Sequence, residues 1–336
     1  MTRTTLHGPL ATALMLAACS DPSPQTPPTG PGSSTTATTA ESSTTDLPTG
    51  TAGTADTTAD TTATADTTTG PAALLCNGHA ALCERPFDQV VFPGTHNSHS
   101  AVDAGFPMLN ANQLGDIAQQ LEDGVRVMLI DLYPDEADPD VVLMCHGPCS
   151  LASTPHLDGL GAITDFLVAH PREVLTLIYE DHVAVAEIQE DFAATGADAL
   201  TFVHAAGDPW PTLGEMIDAD TRLVVTAESG GPPPPWFHHV WDVAWDTPYG
   251  PMQAEDLSCD LNRGSADNDL FLLNHWVNNA FDLPSIDAAE VVNAADVLQA
   301  RAMECWQQWD HPPNFVVVDF YERGDLFAVV DALNGV

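Results

Sequence analysis

The sequence contains no lysine, and its eight basic residues, all arginine, are outnumbered by 48 aspartates and glutamates, so that the formal net charge is −40. Proteins that bind nucleic acid neutralise its phosphates with clustered cations, and anionic membrane surfaces attract basic segments in the same way. Such clusters cannot form here. We therefore expect no nucleic-acid partner and no strong attraction to anionic membranes. The acidity is typical of a solvated surface in an extracellular or saline setting.

Long apolar runs are also missing. The first apolar run in the chain is too short to cross a bilayer. Arg3 precedes the short apolar stretch 10–16, a pattern typical of an export signal peptide over residues 1–18. Leu16-Ala17-Ala18-Cys19 resembles the lipobox of bacterial lipoproteins. That resemblance implies a lipidated Cys19 that anchors a cell-envelope lipoprotein to a membrane, whereas ordinary cleavage would release an extracellular protein.

Large apolar side chains are scarce over residues 19–72, which consist almost entirely of Thr, Ser, Pro, Ala, Gly and Asp. A segment of this composition cannot bury enough apolar surface to offset the entropy lost on ordering. We predict a disordered linker that tethers one folded domain, residues 73–336, and we expect that domain to be monomeric.

Seven cysteines occur in the chain, and six of them follow the linker. An even number in an exported domain indicates three disulfides, although six cysteines allow fifteen pairings. A zinc site is the weaker alternative, because no second cluster of Cys and His stands at a suitable spacing. Proximity in the sequence favours the pairs Cys76–Cys83, Cys145–Cys149 and Cys259–Cys305.

Short apolar segments alternate with helical patterns across the domain, which predicts a parallel sheet. Polar residues end many of these segments, and a closed barrel would bring all of those ends to one rim. We therefore predict an α/β fold of the TIM type, a (β/α) barrel that is possibly distorted, rather than a doubly wound sheet. No Gly-x-Gly-x-x-Gly motif follows the first segment, so the usual signal of a dinucleotide-binding sheet is absent. Strands are predicted over residues 88–92, 125–131, 141–144, 173–179, 200–204, 222–228, 269–275 and 314–319.

Two histidines stand in the turns that follow the first and third segments. His96 follows the Pro93-Gly94 turn after the first strand, and His146 lies between Cys145 and Gly147 after the third. Imidazole titrates near neutral pH, so a histidine pair suits a reaction that needs both a base and an acid. We predict that His96 and His146 form such a pair and act on a phosphodiester.

Phosphodiester cleavage also needs positive charge near the phosphoryl oxygens. Arg126 is one candidate for that charge, and a metal ion is the other. Asn97, Asp131 and Glu180 supply oxygen ligands at strand ends, which is the set expected for Ca²⁺ or Mg²⁺. At the ends of the late strands, His275 and Asp319 are predicted to orient His96 or to bind substrate.

Four motifs together resemble the catalytic X region of phosphatidylinositol-specific phospholipases C, in order and in spacing. The resemblance covers roughly residues 88–183. The motifs are Pro93-Gly94-Thr95-His96-Asn97-Ser98, Gly124-Val125-Arg126 with Ile130-Asp131, Cys145-His146-Gly147, and Leu177-Ile178-Tyr179-Glu180-Asp181-His182.

The resemblance implies a phospholipid substrate and an internal attack. His96 would take a proton from the inositol 2-hydroxyl, and His146 would protonate the diacylglycerol oxygen, which yields a cyclic phosphate. Calcium would bind Asn97, Asp131 and Glu180, but Leu129 replaces the first acid of the family's acid-x-acid pair. In the metal-independent branch an Arg close to Asp131 supplies the charge, and Leu132 stands just after Asp131 instead.

Two alternatives stay open. One is a phosphodiesterase of the same barrel type that acts on glycerophosphodiesters or sphingomyelin. The other is a catalytically weak barrel that binds a surface, favoured by Leu129 and the shortage of cations and opposed by the retention of both histidines. The absence of lysine makes unsubstituted phosphatidylinositol, or a glycosylated relative, the better substrate expectation.

Overall fold

The computed structural model describes residues 74–205 and 207–336. The predicted signal peptide, the lipobox cysteine Cys19 and the predicted linker up to residue 72 lie outside these residues. In the described part, no helix is both long enough and apolar enough to span a bilayer.

Eight parallel strands form one continuous curled sheet, in the order β7-β6-β5-β2-β1-β10-β9-β8. A short hairpin, β3 and β4, pairs antiparallel with the end of β2. The strands are β1 Phe92–Thr95, β2 Val127–Pro134, β3 Val142–Met144, β4 Thr154–Pro155, β5 Leu175–Asp181, β6 Leu223–Ala227, β7 Phe237–His239, β8 Ala244–Asp246, β9 Leu270–His275 and β10 Phe315–Val318.

Eight α-helices accompany the sheet in the part of the chain that the structure describes. They are α1 Ile117–Asp123, α2 His156–Ala169, α3 Val185–Thr195, α4 Leu213–Asp218, α5 Val240–Val243, α6 Ile286–Val292, α7 Ala295–Trp309 and α8 Leu326–Asn334. The predicted (β/α) barrel is confirmed. It is distorted, since no ladder between described residues joins β7 to β8, which are linked through the four-residue helix α5.

Apolar side chains lie on both faces of the strands, as expected for a buried parallel sheet. Along β2, Met128 and Ile130 pack outward against the helix layer, whereas Val127 and Leu129 belong to a second cluster inside the barrel. The next residue on the inner face is Asp131, which reaches the carboxyl end of the barrel.

Gly94 lies on the inner face of β1, between side chains of β10 and β2. An added Cβ would stand 2.8 Å from Val317 Cγ2 and 3.0 Å from Val127 Cβ. Only glycine fits between these side chains without displacing them. The Pro93-Gly94 pair, read in the sequence as a turn after the first strand, is therefore inside β1, and the turn begins after Thr95.

Two strand predictions are wrong. Residues 87–89 form a 3-10 turn that places Phe87 beneath the barrel, where its ring lies 5.0 Å from that of Phe92 and 4.9 Å from that of Trp210. Segment 200–204 makes only an isolated bridge from Thr201 to Leu223. The prediction also missed β7 and β8, because three-residue strands are too short to show a period.

The three predicted disulfides are confirmed: Cys76–Cys83, Cys145–Cys149 and Cys259–Cys305. The zinc alternative for Cys145 and Cys149 is excluded by their bond to each other. The first bridge lies near the amino ends of the strands, since Asn77 hydrogen-bonds Val174 just before β5. The second encloses His146.

Candidate active site

His96 follows the last residue of β1 and is held from three sides. Its Nδ1 lies 2.9 Å from Asp319 Oδ1, at the end of β10, and its ring stacks on Trp276 with the centroids 3.9 Å apart. Gln113 Nε2 donates to the His96 carbonyl at 2.8 Å, and Asn112 Nδ2 donates to Asp319 Oδ1 at 3.0 Å. When Nδ1–H donates to the carboxylate, the lone pair of neutral His96 lies on Nε2.

Asn97 is the next residue, with a φ of 46°, in the left-handed region that asparagine tolerates better than most residues. Its amide is oriented so that Nδ2 donates to Asp131, at 2.9 and 3.2 Å to the two carboxylate oxygens. Its Oδ1 lies 3.2 Å from His96 Nε2 and 2.9 Å from His146 Nδ1. One side chain therefore connects both histidines with Asp131.

His146 faces His96 from the loop between β3 and β4, with the ring centroids 6.4 Å apart. Its Nδ1 also lies 3.2 Å from Asp131 Oδ2, so that Nε2 is directed away from this carboxylate. The His146 side chain is 36% exposed, compared with 20% for that of His96. Both side chains are therefore partly open to solvent at the carboxyl end of the barrel.

Asp131 and His146 bias each other toward their charged forms. Burial opposes the charge on each group, but their hydrogen bond and mutual attraction outweigh it. The pKa of Asp131 is lowered from its usual value, and the pKa of His146 is raised, with help from the charges of Asp319 and Glu180. His146 therefore holds its proton to a higher pH than an ordinary histidine, as a general acid should.

Calcium binding stays a prediction: Asn97 and Asp131 lie in contact at the site, whereas the other two positions of the expected set differ from it. With its NH₂ group toward Asp131, Asn97 hydrogen-bonds that carboxylate, and a cation between the two side chains would require the amide to turn so that Oδ1 faces the ion. Leu129 packs into the apolar interior, and Glu180 accepts a hydrogen bond from His182 at 2.7 Å. Among the described residues, no cluster of three or more His, Cys, Asp or Glu is placed to hold a metal ion.

Arg126 is not at the site, and its predicted catalytic role is wrong. It precedes the first residue of β2, at the level of Pro93, and its side chain points into the helix layer. There Nε donates to Glu173 Oε2 at 2.8 Å, Nη1 donates to two carbonyl oxygens, and the guanidinium covers the ring of Phe166. Strand alternation explains the error, because residues 126 and 131 lie on opposite faces.

His275 is likewise structural, so the prediction that it binds substrate or orients His96 is wrong. It is fully buried on the outer face of β9, where Nε2–H donates to the Val292 carbonyl and Nδ1 accepts from Arg301. Burial, helped by the Arg301 charge, lowers the pKa of His275 to about 3. Asp319, by contrast, lies at the site as the partner of His96.

His99, three residues after His96, is buried near the pair. Burial lowers the pKa of its imidazole to about 4, although the charge of Asp131 opposes that effect. Its ring packs at right angles to Phe106, with centroids 5.9 Å apart. His99 therefore remains neutral at physiological pH.

The sequence reasoning missed a cation on the rim. Arg263 donates to Asp246 Oδ2 at 2.7 Å and to Glu228 Oε2 at 2.8 Å, and its guanidinium covers the rings of Trp241 and Tyr249. Tyr249 in turn stacks on Trp276, the ring that supports His96. Glu228 directly follows β6 and Asp246 ends β8, and the stacked rings connect this cluster to the histidine pair.

Glu228 has an unusual acidity. Burial, together with nearby carboxylates, raises its pKa to about 7 despite the charge of Arg263. The sequence signal for this cluster is the rarity of arginine. Because the chain has only eight cations, Arg263, directly before Gly264, was a candidate for a role at the site. Gly264 has a φ of 80° and bridges to Trp245, which brings Arg263 against Asp246.

Large apolar side chains are exposed on the loops that surround the site. We call five of them the apolar rim. They follow β1, β3, β8 and β9, and a shallow cleft of about 320 Å³ lies between two of these loops, beside Phe320. The apolar rim consists of Phe281 at 84% exposure, Leu109 at 69%, Leu151 at 65%, Met252 at 52% and Met108 at 50%.

Comparison with solved structures agrees with the barrel assignment. A mutant form of the phosphatidylinositol-specific phospholipase C of Staphylococcus aureus superposes with a TM-score of 0.52 at 14% identity, covering 74% of this chain and 93% of that protein. The fold is that of phospholipase C-like phosphodiesterases. The family model described as PI-PLC X 1 matches residues 82–334, and the chain belongs to the PI-PLC X family.

Sequence relatives come from a fungus and a plant. A PI-PLC X domain-containing protein 1 of Arthroderma benhamiae is 31% identical over 281 residues, which cover 78% of this chain and 90% of that protein. An uncharacterized secreted protein of the same organism is 26% identical, and a PI-PLC X domain-containing protein of Arabidopsis thaliana is 27% identical. The matched regions cover 64% and 63% of these two relatives, less than two thirds of either.

Proposed function

We propose that the protein is a phosphoric diester hydrolase or lyase that removes the head group of a phospholipid of the phosphatidylinositol type. The observation that carries this proposal is the histidine pair, joined through Asn97, with Nδ1 of His96 beside Asp319 and Nδ1 of His146 beside Asp131. One imidazole is set to accept a proton on Nε2, and the other is biased to carry one.

His96 acts as the general base. Asp319 holds Nδ1–H, and Trp276 fixes the plane of the ring, so the Nε2 lone pair has one direction in which to accept the proton of a substrate hydroxyl. Once Nε2 has taken up the proton, it can donate a hydrogen bond to Asn97 Oδ1, which lies 3.2 Å from Nε2. Attack by the inositol 2-hydroxyl would give a cyclic phosphate.

His146 acts as the general acid. Its Nδ1 side is occupied by Asp131 and Asn97, which leaves Nε2–H to protonate the leaving diacylglycerol oxygen. The two imidazolium charges, one present at the start and one that develops on His96, offset the growing negative charge on the phosphoryl oxygens. No step in this scheme passes through a metal ion, and the calcium expectation is tested below by chelation.

The rim supports a lipid substrate with a polyhydroxylated head group. The apolar rim can insert into the apolar part of a bilayer, because each of its members is at least half exposed. Beside the histidines, Arg263 and Glu228 offer charged groups for hydroxyl hydrogen bonds, with Arg263 oriented by buried Asp246, and the exposed Tyr249 offers an aromatic ring. We propose that this cluster contacts the head group.

The test is a comparison of phosphatidylinositol, glycerophosphocholine and sphingomyelin as substrates for the purified protein, each with calcium and with chelator. We expect head-group release from phosphatidylinositol that survives chelation and falls by about 10²-fold to 10⁴-fold in His96→Ala. Preference for one of the other substrates would support the alternative phosphodiesterases. Absence of product from all three would support a catalytically weak, surface-binding barrel.

We also propose that the protein is exported. This proposal rests on the signal-peptide pattern of residues 1–18 and agrees with the name of the secreted fungal relative. If the lipobox is used, the mature protein begins at a diacylglycerol-modified Cys19. Mass spectrometry of the protein from the cell envelope and from the medium of its native host distinguishes this product from an unmodified, released chain.

A further inference from the structure

The two catalytic candidates are held by different kinds of structure. His96 follows a central strand of the barrel, and three buried neighbours fix its ring and its backbone. His146 follows β3, a three-residue strand that pairs antiparallel with the end of β2 and is outside the parallel path. The general acid therefore depends on a peripheral hairpin.

That hairpin has little packing of its own around His146. Gly147 and Pro148 are exposed, and a Cβ added at Gly147 would meet no atom within 4 Å. The ring is held by Nδ1 alone, which faces Asp131 and Asn97. Hydrogen bonds at one ring nitrogen orient the ring but do not by themselves fix the backbone that carries it.

The Cys145–Cys149 disulfide constrains that backbone. It closes a loop whose only interior residues are His146, Gly147 and Pro148. Cys145 is fully buried directly after Met144, which pairs with Leu132 of β2. The bridge therefore ties the free end of the loop to a buried point beside the Asp131 strand, and it limits the positions that the His146 backbone can take.

We propose that the Cys145–Cys149 disulfide is the positioning element of the general acid, so that full activity requires the oxidised protein. The inference rests on the proposed function. A dithiol reductant transfers two electrons and two protons to the bridge, the S–S bond breaks to give two thiols, and the dithiol is oxidised to its own disulfide. The released loop then no longer presents His146 Nε2–H to the leaving oxygen.

The experiment compares two substrates whose leaving groups differ in their need for a proton. In an alkyl ester of inositol phosphate, the leaving alkoxide oxygen must be protonated as its bond to phosphorus breaks. In the 4-nitrophenyl ester, the leaving group departs as the stable 4-nitrophenolate anion. For the Cys145→Ser/Cys149→Ser variant we expect kcat on the alkyl ester to fall by about 10²-fold, as for other misplaced catalytic groups, with little change in KM. We expect a much smaller loss on the nitrophenyl ester.

Two controls make the result specific. Cys76→Ser/Cys83→Ser removes another short-range bridge, at the opposite end of the barrel, and should change stability without changing the ratio of the two rates. In a His146→Ala background, removal of the Cys145–Cys149 bridge should cause no further loss, because the bridge acts through the missing side chain. The variants must give the same circular dichroism spectrum as the wild type.

The outcomes separate the two proposals. If the wild-type protein cleaves neither ester, the proposed function fails. If it cleaves both, and the Cys145→Ser/Cys149→Ser variant loses equal activity on both or none on either, the positioning role is overturned while the phosphodiesterase remains. A further loss in the His146→Ala background would also overturn it.

Discussion

Asp131 controls the acid step of the proposed reaction, because its hydrogen bond and its charge raise the pKa of His146. In Asp131→Asn the shape is kept and the charge is lost, while the burial that lowers the pKa of His146 remains. Activity requires protonated His146 and falls as pH rises through its pKa. We therefore expect the basic limb of the profile of kcat/KM against pH to move to lower pH.

A matched control for this substitution exists elsewhere in the chain. Asp191 pairs with buried His156 at 2.7 Å, in the layer of α2 and α3 away from the barrel rim. Asp191→Asn should therefore leave the basic limb where it is. If Asp131→Asn leaves the limb in place, or moves it to higher pH, His146 is not the general acid.

Two arginines give a second contrast at the level of single residues. Arg126→Leu leaves Glu173 without its partner in the helix layer, so we expect a loss of about 1–3 kcal/mol in the free energy of unfolding and an unchanged kcat. Arg263→Leu removes the rim cation, and we expect KM for phosphatidylinositol to rise. Chemical denaturation and steady-state kinetics on both variants test this, and a large loss of kcat in Arg126→Leu would contradict the assignment.

Site residues at the carboxyl ends of strands could be identified from the sequence. Site residues in loops, and the face on which a strand residue lies, could not. His96, Asn97, Asp131 and His146 were found because each ends an apolar run. The face of Arg126 could not be read, because its run is apolar on both faces and its alternation carries no signal. Arg263 and Asn112 come from loops, and contacts across some 200 residues, such as Asn112 to Asp319, leave no local pattern.

At the scale of the elements, β1 shows why a glycine precedes the catalytic turn. Gly94→Ala would press its methyl group against Val317 and Val127, and we expect it to lower the free energy of unfolding by about 1–3 kcal/mol, as overpacked cores do. Gly161→Ala is the control. It lies inside α2 with no atom within 4 Å of an added Cβ, so alanine should stabilise by about 0.5–1 kcal/mol.

Denaturation of the two glycine variants measures both effects in the same protein. An equal change in the two variants would mean that Gly94 is not confined by the neighbouring strands.

The alternation of strands and helices was enough to predict the barrel, since the long strands β2, β5, β6 and β9 each formed a clear apolar run. The opening between β7 and β8 was not predictable, because three-residue strands carry no measurable pattern.

At the scale of the whole molecule, the charge of −40 and the apolar rim together define which surfaces the protein can approach. We expect binding to neutral phosphatidylcholine vesicles that carry little phosphatidylinositol, and weaker binding as anionic lipid is added, with salt relieving the repulsion. Phe281→Ser should raise KM for vesicles and leave kinetics on a soluble inositol phosphate ester unchanged.

Val168→Ser is the matched control for the rim variant. Val168 is 68% exposed near the end of α2 and away from the loops of the rim, so its removal should not alter vesicle kinetics. Vesicle co-sedimentation and kinetics on both substrate forms distinguish the two sites. Equal behaviour of the two variants, or tighter binding to strongly anionic vesicles, would contradict a role for the apolar rim.

The central claim is that two histidines cleave a phosphodiester by internal attack, without a step through a metal ion. The most direct test is phosphorus NMR of the reaction with phosphatidylinositol in the presence of chelator. The account predicts the resonance of a cyclic inositol phosphate, present with the wild-type protein and absent with His96→Ala. An acyclic phosphate as the first product, or cleavage that occurs only when calcium is added, would contradict it.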